Sequence, residues 1–422
     1  NSPLDHSILI CVTTLLLSIV FGSCASDHTL SSRTVALFTF GDSTVDPGNN
    51  NYIKTIPENQ AHYKPYGQNG FFQHPTGRFL MVMWYNVLYA NDAADYAKLP
   101  LIPPFLQPSA DYTNGVNFAS AGAGVLSENQ SRIGMANFSL YMAMNHWRSY
   151  FVIDLQTQLK NFEEVQKSLT EKFGEVKAKE VISEAVYFIS IGSNDYMGGY
   201  LANPKMQEQY NPEQYVGMVI GNLTQAIQVL YGKGARKFAF LRLCPLGCLP
   251  AFRALNHKAS GGGCFEAASA LALAHNNALK TVLTSLEYML KQFKYSTSNF
   301  YDWLQDRIDN PYKHGSKHRN TLIDGVNACC GTGPYGGIFT CGGTKEVKDY
   351  QLCENADDYV WWDSFHPTER IHEQLAKALW NGASSSVGPY NLEELFSVDE
   401  EKLTIGYMVD DPEAQDHFSL LK

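Results

Sequence analysis

Acyl-transfer chemistry needs a serine, an imidazole and a carboxylate brought together, and this chain offers one set. Ser43 stands in Phe38-Thr-Phe-Gly-Asp-Ser-Thr-Val-Asp46, at the end of an apolar run. Asp363 and His366 stand three residues apart in Trp361-Trp-Asp-Ser-Phe-His-Pro-Thr-Glu-Arg370. At that spacing a carboxylate can turn back and hold one imidazole nitrogen while the other faces a hydroxyl, the arrangement that activates a serine. Taken singly, Ser43 reads as a turn residue, since Asp46-Pro47-Gly48-Asn49-Asn50 follows it. The Asp363/His366 pair reverses that judgement and leaves Asp42 no role beyond shaping the turn. Pro367 suits the first turn of a helix, which would place His366 on the loop before it.

A serine attacking a carbonyl also needs donors for the developing oxyanion. Two loops can supply them: Gly115-Val-Asn-Phe-Ala-Ser-Ala-Gly-Ala-Gly124 and Gly192-Ser-Asn-Asp195. A glycine exposes its backbone N–H, and Asn194 carries an amide that does not titrate. Close packing and an ordinary turn are the competing readings of these loops.

These segments need elements to position them. Runs rich in branched and aromatic residues recur at Val35–Phe40, Val116–Ala119, Ala185–Ile191, Lys237–Leu241 and Phe293–Ser296. Between them, Tyr150–Glu175 and Ala267–Gln292 carry apolar residues at helical spacing. The alternation predicts a parallel sheet flanked by helices, and ligands of such sheets bind beyond the carboxyl ends of the strands. Ser43 falls at such an end.

With 422 residues, 45% apolar and 18% charged, the chain can bury a large core without special staples. The net charge of −10 and the lack of a Lys/Arg cluster exclude a nucleic-acid partner. Three regions are expected: a leader over 1–25, one catalytic domain over 34–385, and a loosely attached acidic extension over 386–422. The leader reading rests on the apolar run Ile8–Phe21 followed by Ser23-Cys24-Ala25, too short for a comfortable bilayer span. It implies no stable membrane span after cleavage. In an oxidising compartment the seven cysteines outside that segment allow up to three disulfides and one leftover thiol, with Cys248–Cys264 the first pairing to expect. Their spacing does not suit a zinc site. Asn129, Asn137 and Asn222 begin glycosylation triplets.

Taken in order, Gly41-Asp42-Ser43, the Gly122 loop, Gly192-Ser193-Asn194-Asp195 and Asp363-x-x-His366 resemble the GDSL esterase/lipase family of the SGNH hydrolases. The resemblance extends to Pro75-Thr-Gly-Arg-Phe79, Pro245-Leu-Gly-Cys-Leu-Pro250, Ala328-Cys-Cys-Gly-Thr-Gly333 and Cys341-Gly-Gly343, covering roughly Val35 to Phe396. These motifs look like the plant secreted branch, and within it the defence-associated lipases. The resemblance implies Ser43 as nucleophile, His366 as base and then acid, and Asp363 as its orienting partner. It implies an oxyanion hole of the Ser43 N–H, Gly122 and Asn194, with Gly124 the weaker substitute for Gly122.

The implied fold is a flavodoxin-like three-layer α/β/α sandwich around a five-stranded parallel sheet; the GxSxG elbow of the α/β-hydrolases is absent. The implied activity is hydrolysis of carboxylic esters, lipids among them, with no metal or organic cofactor. The implied location is extracellular, in apoplast or cell wall, with the vacuole as the other compartment. Two further readings share the motifs: an acyltransferase using the same acyl-enzyme, and a catalytically silent binding protein of this fold. Oligomeric state is not legible. Leu80–Ala94 departs from the family pattern, being mostly apolar and a few residues longer. An imidazole base predicts activity rising from about pH 6 to about pH 8.

Overall fold

Strand β1 (Leu37–Gly41) is buried along its whole length and lies inside a sheet covered on both faces. In the computed structural model, β2 (Gly115–Asn117), β3 (Val186–Ser190), β4 (Lys237–Phe240) and β5 (Lys294–Ser298) join it, all in parallel. The structure describes residues 35–67, 74–77, 99–126, 151–315, 323–338, 341–342, 349–383 and 386–397. The leader, Asn129, Asn137, the Leu80–Ala94 segment and the extension beyond 397 lie outside the described residues.

The parallel strands stand in the order 2-1-3-4-5. That is the flavodoxin-like order, whose topological switch point lies between β1 and β3. All five runs expected as strands are strands, each shifted by no more than a few residues. Continuous burial of Val186–Ser190 and Lys237–Phe240 is what a parallel sheet with both faces covered demands.

Helix α1 (Leu155–Phe173) starts where Asp154 accepts the Thr157 N–H, and it buries Leu155, Leu159, Phe162, Val165 and Leu169 at spacings of three and four. Phe162 meets Phe38 edge-on, with ring centroids 5.1 Å apart, and also contacts Phe40, Phe118 and Tyr187. These rings join the helix to β1, to β3 and to the residue just after β2. Helix α2 (Glu175–Glu184) follows directly. Asn211 and Gln214 form a reciprocal capping box at the start of α3 (Pro212–Gly232). Helices α4 (Glu266–Met289), α5 (Phe300–Asp309) and α6 (Glu369–Asn381) complete the long helical elements.

The sheet differs from the expected five strands by a sixth. Val387–Pro389, here β10, pairs antiparallel with β5 through Val387↔Ser298 and Pro389↔Ser296. Strands β6 (Asp324–Ala328), β7 (Cys330–Gly331), β8 (Gln351–Leu352) and β9 (Tyr359–Trp361) lie outside the main sheet in two small ones. After β10 a short helix buries Leu392, Leu395 and Phe396, with Phe396 stacked 5.7 Å from Trp380. Lys237, buried and paired with Glu184, donates to the Ser397 carbonyl. The start of the stretch expected to be loosely attached is therefore part of the core, because its apolar side chains have a place in it.

Three disulfides join Cys248–Cys264, Cys329–Cys353 and Cys330–Cys341, and Cys244 is left free. Desolvation pushes the half-buried Cys244 thiol up to about 12, so it stays protonated at neutral pH. Among the described residues no helix is long and apolar enough to cross a membrane.

Candidate active site

Ser43 follows β1 by two residues and so emerges at the switch point. His366 is carried there on the segment between β9 and α6. The Trp362 N–H donates to the His366 carbonyl at 2.7 Å, and Trp361 and Pro367 form a bridge across the turn. Helix α6 begins two residues after Pro367, behind Thr368, not at the proline as its type suggested; Thr368 instead donates its hydroxyl to the Tyr359 carbonyl.

The three side chains meet. His366 Nε2 lies 2.9 Å from Ser43 Oγ, and His366 Nδ1 lies 2.8 Å from Asp363 Oδ1 and 3.0 Å from Oδ2. A carboxylate at Nδ1 holds the proton there, so Nε2 is the nitrogen that accepts from the serine hydroxyl. Asp363 is completely buried, and its Oδ1 also accepts the backbone N–H groups of Phe365 and His366, each at 2.9 Å. Burial alone would raise this carboxyl. The adjacent imidazole, these N–H groups and the Tyr66 hydroxyl outweigh burial and hold it below the ordinary carboxylate value, so it stays ionised.

Gly122 and Asn194 lie on two loops that are laced together. Asn194 Nδ2 donates to the Ala123 carbonyl at 2.9 Å. Asp195 accepts from Val125 and Leu126 N–H at 2.8 and 3.0 Å, and burial pushes its carboxyl up to about 7 against those two bonds. An amide carries two hydrogens, so Asn194 retains one for a second acceptor. From Asp195 to Leu201 the backbone forms a π-helical turn, a form frequent at functional sites. Gly122 has φ +86°, and a Cβ there would stand 2.8 Å from Asn59 Nδ2. Glycine is thus required on both conformational and steric grounds.

Sequence reasoning missed what holds the Gly122 loop. Asp46, Asn49 and Asn50, read as turn formers, are buried side chains that reach into it. Asp46 Oδ2 accepts the Ala121 N–H at 2.8 Å, Asn49 Nδ2 donates to the Asn117 and Ala119 carbonyls, and Asn50 Nδ2 donates to the Ala121 carbonyl. Tyr66 was missed as well, although its hydroxyl donates to Asp363 Oδ2 at 2.7 Å. Two asparagines and an aspartate within seven residues of the serine were the available signal for the first group; nothing local signalled Tyr66. Asp42, adjacent to the serine, accepts from Thr44 N and Oγ1 and does not touch His366 by hydrogen bond among the described residues.

Asn222, a glycosylation candidate, is half-buried inside α3 with its amide donated to the Met218 carbonyl. Acceptor triplets are expected on surface loops. Among the described residues no group of three or more His, Cys, Asp or Glu could hold a metal ion.

Residues 37–379 match the model of the GDSL-like Lipase/Acylhydrolase family. The chain is 44% identical over 377 residues to GDSL esterase/lipase 5 of Arabidopsis thaliana, covering 88% of this chain and 90% of that one. It is 41% identical to GDSL esterase/lipase 4 of the same plant, over 94% and 99% of the two chains. To the GDSL lipase of Tanacetum cinerariifolium it is 38% identical, over 96% and 97%. Family model and relatives together place this chain in the GDSL-like lipase/acylhydrolase family of ester hydrolases.

Proposed function

We propose that this protein hydrolyses carboxylic esters, acyl lipids among them, through a covalent intermediate on Ser43. The observation that carries the reading is the continuous line of hydrogen bonds Ser43 Oγ, His366 Nε2, His366 Nδ1, Asp363 at 2.9 and 2.8 Å.

In the first step Ser43 Oγ attacks the ester carbonyl carbon while its proton passes to His366 Nε2. Charge then gathers on the carbonyl oxygen. Backbone N–H groups of Ser43 and Gly122 and the second amide hydrogen of Asn194 are the proposed donors to it, each worth about 3 to 4 kcal/mol in sites of this kind. The C–O bond to the alcohol breaks as His366 returns the proton to the leaving oxygen. Water, deprotonated by His366, then attacks the acyl-enzyme and releases the acid and free Ser43. Throughout, the ionised Asp363 stabilises the imidazolium and keeps its tautomer.

Export is proposed on two supports: the apolar N-terminal run with its small-residue exit, and three disulfides, which persist in oxidising compartments. The extracellular site, and the defence role that the resemblance suggests, belong to this proposal.

The enzymatic reading is tested by p-nitrophenyl butyrate hydrolysis with the purified protein and its Ser43→Ala and His366→Ala variants. The expected result is a fall in kcat of about 10³-fold or more for each. Equal rates in wild type and Ser43→Ala would remove the mechanism.

A further inference from the structure

Tyr66 has no part in the mechanism above, yet it is among the largest fully buried side chains of the protein. Its hydroxyl meets Asp363 Oδ2 at 2.7 Å across 297 residues of sequence. The two oxygens of Asp363 thereby divide their work: Oδ1 takes the Phe365 and His366 N–H groups and the nearer approach of Nδ1, while Oδ2 takes the phenol. Without the phenol, Oδ2 would keep only the longer 3.0 Å approach of Nδ1, and the carboxylate could rock about its Oδ1 edge.

The ring is itself held on several sides. The Tyr66 N–H closes a turn on the Tyr63 carbonyl at 3.1 Å. Tyr63 and Trp362 meet the ring at centroid distances of 5.7 and 6.0 Å, both edge-on. Ala61, Ala121, Cys330 and Cys341 complete its buried cluster, and the last two are joined by a disulfide. The backbone beyond that disulfide presses on the Tyr66 turn: a Cβ at Gly342 (φ +67°) would stand 2.1 Å from the Lys64 carbonyl oxygen. The cluster thus packs around the Tyr66 ring whose hydroxyl reaches Asp363. A buried tyrosine hydroxyl needs a partner, and the carboxylate behind His366 is one.

We infer that Tyr66 is a positioning residue of the esterase reaction, acting through Asp363 to hold the carboxylate square to His366 Nδ1, with the Cys330–Cys341 disulfide as its backstop. The inference rests on the triad reading of Ser43, His366 and Asp363. In this reading Tyr66 acts through Asp363 and not on Ser43 directly. By donating to Oδ2 it also draws off part of the carboxylate charge that would otherwise act on the imidazole. Among the described residues the other ionisable groups around this unit are Tyr63 beside Tyr66, Glu58 beside Tyr63, and Asp42 and His372 near His366.

The test is a double-mutant cycle on the full chain with p-nitrophenyl butyrate: wild type, Tyr66→Phe, Asp363→Ala and the double variant, with Ser43→Ala alongside. Tyr66→Phe keeps the ring and removes only the hydroxyl. The expected result is a fall in kcat of about tenfold at unchanged KM, as for loss of a hydrogen bond to a charged group. The acid limb of kcat/KM should move to higher pH by roughly half a unit, because an unshielded carboxylate favours the imidazolium more strongly. In the Asp363→Ala background, the same change should alter kcat by less than about twofold. Tyr66→Phe with wild-type kcat and an unmoved acid limb overturns the inference. So does an equal loss in both backgrounds, which marks a general structural role; thermal unfolding of each variant confirms that the rates compared are of folded enzyme. If Ser43→Ala retains full activity, it is the triad reading that fails, and that outcome is separate from either Tyr66 result.

Discussion

Asp42 is the sharpest place to test the electrostatics, since it is adjacent to Ser43, the proposed nucleophile, and yet assigned no part in the chemistry. Its carboxyl is 1% exposed; Oδ1 accepts the Thr44 N–H and hydroxyl at 2.9 and 2.7 Å, while Oδ2 is buried with no hydrogen-bond partner among the described residues. Burial pushes it from 3.8 up to about 6, against the lowering effects of the Thr44 bonds and of His366. A carboxyl raised in the folded state binds its proton more tightly there than in the unfolded chain. Its contribution to stability is therefore fully present below the unfolded value and is lost as pH rises through the folded one.

The shift of about two units corresponds to about 3 kcal/mol over the whole range, of which about 2 kcal/mol falls between pH 4.5 and pH 8. Asp42→Asn keeps the Oδ1 acceptor and removes the titration. Whatever fixed cost the new amide carries, the stability of the variant relative to wild type should rise by about 2 kcal/mol from pH 4.5 to pH 8. Urea unfolding of both proteins with disulfides intact, at five or six pH values, measures this difference; groups not coupled to Asp42 cancel, and Asp195 and His366, which feel its charge, enter only through that coupling. A difference flat to within about 0.5 kcal/mol would refute the argument, because Asp42 would then titrate as an exposed aspartate does.

Three more outcomes follow from the packing. Gly122→Ala places a Cβ 2.8 Å from Asn59 Nδ2 at φ +86°; kcat for p-nitrophenyl butyrate should fall by about tenfold or more, with KM changed less. Asn49→Ala leaves the buried Asn117 and Ala119 carbonyls without that donor, and should lower unfolding free energy in urea by about 2 to 3 kcal/mol. Ending the chain after residue 397 should leave unfolding temperature unchanged, whereas ending it after 385 removes β10 and the Leu392–Phe396 helix and should yield aggregated or unfolded protein on size-exclusion chromatography.

Much of the fold was legible because its signals are local. Val186–Ser190 and Lys237–Phe240 are short apolar runs bounded by turns, and burial on both faces makes such runs visible without alternation. Strand β10 was missed for the converse reason. Val-Gly-Pro is three residues long and contains the two types that strands avoid, tolerated here because an edge position leaves the proline without a required N–H. Ser43, Asp363 and His366 could be grouped from sequence because the proposed chemistry restricts both residue type and spacing, and their side chains do form one hydrogen-bonded line. Helices α3, α5 and α6 were not assigned from periodicity. Asp46, Asn49 and Asn50 have the composition of a turn, and only their burial shows that their side chains bind the Gly122 loop. Tyr66 had no signal, since a tyrosine in a Pro-Tyr-Gly turn is ordinary and its partner lies 297 residues away. Long-range polar pairing leaves no period in the sequence.

The central claim is that Ser43 is a nucleophile activated by His366. Its most direct test is covalent capture: incubation of the wild type, Ser43→Ala and His366→Ala with a fluorophosphonate, followed by intact-mass and peptide mass spectrometry. The account predicts one adduct per wild-type chain, mapped to Ser43, none on Ser43→Ala, and labelling slowed by orders of magnitude in His366→Ala. A stoichiometric adduct on Ser43→Ala, or labelling of Ser43 at the wild-type rate without His366, would contradict it.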